Sequence, residues 1–110
     1  MLGSAGVIVM DETTCMVKAI RRITKFYAEE SCGQCTQCRE GTEWLYKILT
    51  RIETGQGHAG DLETMLDICT QMIARTICPL SDACAMPVES YIRKFHDEFA
   101  THIRESRCPF

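Results

Sequence analysis

Apolar residues recur every three to four positions through most of this chain, the signature of amphipathic helices. Val17, Ile20, Ile23 and Phe26/Tyr27 predict a first helix from about Thr14 to Glu30, with Thr13 or Thr14 as its N-cap. Trp44, Leu45, Ile48, Leu49 and Ile52 form the stripe of a second helix. It ends near Thr54, where Gly55-Gln56-Gly57 supplies an inexpensive left-handed stop. Leu62, Met65, Leu66, Cys69, Met72 and Ile73 predict a third helix over 61–75. Val88, Ile92, Phe95, Phe99 and Ile103 predict a fourth over 83–104, a start that keeps Pro87 in the first turn, where proline is tolerated. The expected fold is all-α, a four-helix bundle with a loop between the first two helices.

The first dozen residues break this pattern. Gly6-Val7-Ile8-Val9-Met10 is a short β-like run, and a lone strand cannot pair its own backbone. Residues 1–12 therefore read as a remnant strand and linker from a preceding domain, 13–106 as the helical domain and 107–110 as a tail. The formal charge of −3 argues against a nucleic-acid partner, which calls for a basic face. No apolar run approaches the roughly 20 residues that span a bilayer, so direct membrane insertion is not expected. Nothing at the N-terminus resembles a signal peptide, which predicts a reducing, cytoplasmic setting.

In that setting eight cysteines among 110 residues point to metal rather than to disulfides. Cys32-Gly-Gln-Cys35-Thr-Gln-Cys38 is a C-x2-C-x2-C run, and Cys78-Pro79 follows after 39 intervening residues. Three thiolates in so short a span, with a distant fourth followed by proline, is an arrangement that iron–sulfur proteins use for a 4Fe–4S cluster. Cys32 and Cys38 would diverge by about 120° on a regular helix, so the run is expected to be a loop, with Gly33 giving it freedom and Gly41 relaxing the start of the next helix. The free N–H groups at that helix start, and Arg39, would suit an anionic cluster. Spacing leaves the fourth ligand open. Cys78 has the proline precedent, Cys84 is its nearest competitor, and Cys69 reads as a small core residue. Structural zinc held by the same thiolates, and disulfide chemistry, are the competing readings.

The remaining candidates have plainer readings. His58, His96 and His102 lack ligand spacing and are expected at the surface. Cys15 and Cys108 fall in terminal segments with no part assigned, and Trp44 reads as a core anchor beside the cluster. No nucleophile–base pair or Gly-rich phosphate loop is present.

The segment Glu30-Ser-Cys-Gly-Gln-Cys-Thr-Gln-Cys-Arg-Glu-Gly41, with Thr76-Ile-Cys-Pro-Leu80, resembles the C-terminal iron–sulfur region of the NADH-binding flavoprotein component of NADH–quinone oxidoreductase, respiratory complex I. The opening Gly-Val-Ile-Val-Met-Asp11 is similar to the strand that leads into that region, so the likeness covers roughly residues 3–105. The resemblance implies that Cys32, Cys35, Cys38 and Cys78 hold one 4Fe–4S cluster within a helical bundle. It implies that electrons reach this cluster from FMN reduced by NADH, and leave through further iron–sulfur centres toward quinone. FMN and NAD would belong to a missing or partner domain, so the chain alone is not expected to oxidise NADH. Expected partners are that FMN/NADH-binding domain or subunit and the other iron–sulfur subunits, with the complex seated peripherally on the inner membrane. Gln37 stands where the family usually has proline, which predicts a looser ligand loop. Related subunits of NAD-linked hydrogenases and formate dehydrogenases share the region. A structural zinc module for subunit docking, or a fragment unstable without its parent domains, are the other readings.

Overall fold

The computed structural model describes residues 3–110, and its regular structure is entirely helical: α1 (Met16–Glu30), α2 (Thr36–Glu53), α3 (Asp61–Met72), α4 (Leu80–Lys94) and α5 (His96–Glu105). α1 packs chiefly on α2, α4 lies against both α1 and α3, and α5 closes the end of the bundle over α1, α2 and α4. The core comes from the predicted stripes. Val17 and Ile20 from α1, Leu45, Leu49 and Ile52 from α2, Met65 and Met72 from α3, Val88 and Ile92 from α4, and Phe99 from α5 are all buried. Thr24 joins them because its hydroxyl donates to the Ile20 carbonyl at 2.8 Å, which satisfies the one polar atom it brings.

Three expectations need correction. The predicted fourth helix is two helices, because Phe95 leaves helical geometry at φ −116°, ψ 30°. The charges explain the break. Arg93 and Lys94 end α4 and Asp97 and Glu98 begin α5, so each helix end meets the sign that its dipole favours. Pro87 lies inside α4 rather than in its first turn. Lacking an N–H, it leaves the Ala83 carbonyl without its intrahelical partner, a cost of about 3 kcal/mol set against the burial of Cys84, Ala85 and Val88 on the same helix. α3 ends at Met72, before the predicted Arg75, because Ile73 turns extended and Ala74 adopts a left-handed φ of 57°.

The N-terminal segment forms no strand among the described residues. Val7, Ile8 and Val9 are largely exposed, and the first regular structure begins after Asp11 Oδ1 accepts from the Thr13 N–H at 3.1 Å and from the Thr13 hydroxyl at 2.6 Å. These bonds hold the Asp11 carboxyl below its usual pKa. Cys15, not a threonine, is the N-cap of α1, its sulfur accepting from the Lys18 N–H at 3.4 Å.

Candidate metal centre

The C-x2-C-x2-C run occupies the turn between α1 and α2. Ser31 ends α1, Cys32 is exposed in the turn, Cys35 is the N-cap of α2, and Cys38 is buried in that helix's first turn. Only the first half of the run is therefore loop. Gly33 sits at φ +79°, a conformation costly for a residue with a Cβ, and it reverses the chain between Cys32 and Cys35. The Ser31 hydroxyl ties the turn together. It lies 3.3 Å from the Cys38 sulfur and accepts from the Gly33 N–H at 3.3 Å. Arg39 reaches back and donates through Nη1 to the Gly33 carbonyl, while its Nε donates to Glu40 Oε1 at 3.0 Å. Arg39 thus clasps the cysteine turn and brings its guanidinium to the rim.

Two helices begin at this region, and neither N-terminus is capped by a side chain. In α2 the first helical acceptor bond is Arg39 N–H to the Cys35 carbonyl at 2.9 Å. The N–H groups of Thr36, Gln37 and Cys38 are thereby left free, and no acidic residue stands in that turn. Gln37 belongs to the helix, not to a loose loop, and its N–H adds a donor that proline would lack. α4 starts just after Cys78, an exposed residue whose carbonyl accepts from the Thr76 hydroxyl at 2.9 Å. Pro79 is the uncapped N-cap of α4, and Asp82 turns away to accept from the Ala74 N–H at 2.7 Å. Free donors and positive dipole ends beside both cysteine segments fit the negative charge of a thiolate-bound cluster.

The other cysteines separate cleanly. Cys69 and Cys84 are each about 1% exposed and pack in the core. Burial pushes both thiols up to about 12, with Coulombic repulsion adding to it, from Glu89 at Cys69 and from Cys69 and Cys38 at Cys84. Both side chains point into the apolar core, whereas Cys78 is exposed on the turn before α4. Cys32, Cys35, Cys38 and Cys78 are not gathered at the spacing of ligands to one ion. A single zinc at about 2.3 Å from each sulfur draws its thiolates to about 3.8 Å from one another. A cubane seats each thiolate on a different iron and so spaces them more widely.

Three side chains depart from expectation. Gly41 does not loosen the start of α2. It is buried, and an added Cβ would lie 2.6 Å from Met72 Sδ, so it is the notch that lets α3 approach. Trp44 is 52% exposed and is no core anchor; it lines an open groove of about 360 Å³ with Gln37, Gly41 and Met72. His102 is fully buried rather than on a wet face, and it meets Cys15 and Cys108. Its position three residues after Phe99 was the signal available for placing it inward. His58 and His96 are not buried, as expected.

A helical bundle with a clasped cysteine turn at the uncapped start of α2 and a further cysteine at the uncapped start of α4 fits a metal-centre protein of the iron–sulfur class. The chain belongs to the family described as the NADH-ubiquinone oxidoreductase-F iron-sulfur binding region, whose model matches residues 18–102, and the cofactor of that family is a 4Fe–4S cluster. It is 51% identical over 110 residues to the second F-type component of NADH-quinone oxidoreductase in Rhizobium meliloti (strain 1021), covering 100% of this chain and 26% of that protein. It is 49% identical to the F-type component of the same enzyme in Mycobacterium tuberculosis (strain ATCC 25618 / H37Rv), over 100% of this chain and 25% of the relative. With its counterpart in Streptomyces coelicolor (strain ATCC BAA-471 / A3(2) / M145) the identity is 46%, over 100% and 24%. The chain thus spans about a quarter of the length of the curated relatives it matches. Among the described residues, no helix is long and apolar enough to cross a membrane.

Proposed function

We propose that Cys32, Cys35, Cys38 and Cys78 each bind one iron of a 4Fe–4S cluster and that this cluster relays single electrons. The carrying observation is the pair of uncapped helix starts at these cysteines, within a chain whose family binds such a cluster. When bound, the cluster supplies the redox change. The chain's own residues do the rest. Thr36, Gln37 and Cys38 present N–H donors, Arg39 holds the turn and offsets charge, and Ser31 fixes the Cys38 sulfur. Such donors and charges set the potential of an iron–sulfur centre.

In this reading, FMN reduced by NADH on a flavin-binding domain or subunit donates the electrons, and further iron–sulfur subunits of a complex accept them on the way to quinone. Seating would be peripheral to the membrane, through those subunits. In this scheme flavin and nicotinamide bind that domain or subunit, and the 13–106 helical unit works beside it.

Iron and acid-labile sulfide in anaerobically purified protein test the reading. About four of each per chain, a broad visible shoulder and an EPR signal on reduction are expected. A folded protein that holds neither iron nor sulfide and resists reconstitution, whatever zinc it carries, would overturn it.

A further inference from the structure

A second group of ligands lies at the other end of the bundle. Among the described residues, Cys15, His102 and Cys108 alone form a set of three or more potential metal ligands whose ligand atoms all lie within 4.8 Å of one another. The 15 residues of α1 separate Cys15 from the turn that holds Cys32, about 22 Å at 1.5 Å per residue. This site is therefore independent of the cluster cysteines and of the function proposed for them.

We propose that Cys15, His102 and Cys108 bind a zinc ion through two thiolates and one imidazole, with a fourth position open to solvent. The imidazole is already oriented for the task. His102 Nδ1 lies 2.9 Å from the Glu98 carbonyl and donates its proton there, which leaves the Nε2 lone pair directed at Cys15 Sγ, 3.3 Å away. A backbone carbonyl fixing one ring nitrogen while the other faces the metal is the usual second contact of a zinc-bound histidine. The spacing matches too. Zinc–sulfur and zinc–nitrogen bonds of about 2.3 and 2.0–2.1 Å at a tetrahedral angle place sulfur and nitrogen about 3.5 Å apart.

The surroundings complete the site. The Lys18 N–H donates to Cys15 Sγ at 3.4 Å, a bond that persists to a thiolate. Zinc displaces the two thiol protons on binding, and the two thiolates balance its charge. Cys108 is only half-buried, and a groove of about 370 Å³ beside Cys15 and Cys108 admits a water to the fourth position. Softer donors and an enclosed imidazole exclude magnesium and calcium, which require oxygen ligands. The ion would join the start of α1, α5 and the C-terminal tail, three segments otherwise linked by few polar bonds, chief among them Met16 N–H to Glu98 Oε1 at 2.7 Å.

Cobalt(II) titration of the reduced, anaerobic chain, followed by zinc competition, tests this in three proteins: wild type, Cys108→Ser and Cys35→Ser. Serine at position 35 is a good N-cap for α2, and serine at half-exposed position 108 leaves the core intact, so both variants fold, which a circular-dichroism melt verifies. The expected result is a tetrahedral cobalt spectrum with two-thiolate charge-transfer intensity in wild type and in Cys35→Ser. In Cys108→Ser that component weakens at least tenfold in affinity or vanishes. Zinc at one equivalent should raise the melting temperature of wild type and Cys35→Ser alone. A component lost in Cys35→Ser but kept in Cys108→Ser would overturn the proposal, placing the ion in the cluster turn. So would equal uptake by all three proteins, or a Cys15–Cys108 disulfide that forms in place of metal uptake under the same anaerobic conditions.

Discussion

Cys78→Ala and Cys84→Ala should have opposite effects on stability and on cluster content. Cys84 is about 1% exposed in the core. Deleting its sulfur loses about 0.8 kcal/mol of transfer energy, and a sulfur-sized void of about 25 Å³ adds about 0.6 kcal/mol at 24 cal/mol per Å³. The metal-free Cys84→Ala protein should therefore be about 1–2 kcal/mol less stable, yet bind iron and sulfide at the wild-type ratio. Cys78 is exposed, so the metal-free Cys78→Ala protein should stay within about 0.5 kcal/mol of wild type. It should nevertheless fail to retain a 4Fe–4S cluster through reconstitution and gel filtration. Urea denaturation of the reduced apo-proteins gives the first quantity, and iron, sulfide and EPR after reconstitution give the second. Loss of the cluster from Cys84→Ala would refute this division of roles, whether or not Cys78→Ala keeps it. A buried thiol would then be reaching the iron, and the core around Cys69 and Cys84 would have to open to let it.

Three further perturbations follow from the packing. Gly55 sits at φ +78°, and a Cβ there would lie 2.1 Å from the Ser106 carbonyl oxygen. Gly55→Ala should cost about 2–4 kcal/mol in urea denaturation, combining the left-handed penalty with a backbone clash that no rotamer relieves; a loss under about 1 kcal/mol would contradict the close approach. Asp61 is nearly buried, pairs with Arg51 and accepts from the His58 N–H at 2.8 Å. Asp61→Ala should cost about 2–3 kcal/mol, and Asp61→Asn, which keeps an acceptor, should cost less. Burial raises the Cys69 and Cys84 thiols from an ordinary 9.0 to about 12. The unfolded chain therefore ionises these groups first, and folding stability should be intact below about pH 9 and fall between about 9 and 12. The Cys84→Ala protein should show a shallower alkaline decline; an identical pH profile would remove Cys84 from that account.

Much of the site was legible because its chemistry is local. Three cysteines in seven residues, with Gly33 between the first two, mark a tight cysteine turn, and the helical periods on either side place it at helix ends. Stripes such as Leu45, Leu49 and Ile52 declare their buried face because one period serves one face of one helix. Periodicity said less where two neighbours compete for a residue. Trp44 has the right phase for the core and is half exposed, because α2 turns that edge toward the groove, not toward another helix. The break at Phe95 was written in the change from Arg93-Lys94 to Asp97-Glu98, a charge signal outweighed by an unbroken apolar stripe.

The helical class, most of the core and the cysteine turn were settled at the level of sequence, since each depends on residues a few positions apart, whose relations a single helix or turn fixes. Three features belong to the packed bundle alone: Gly41 as a notch for Met72, the sealing of Cys84 from solvent, and the meeting of His102 with Cys15 across 87 residues. Those contacts depend on how helices are rotated and stacked. That arrangement is set by the summed packing of every face at once, and no local stretch of sequence contains it.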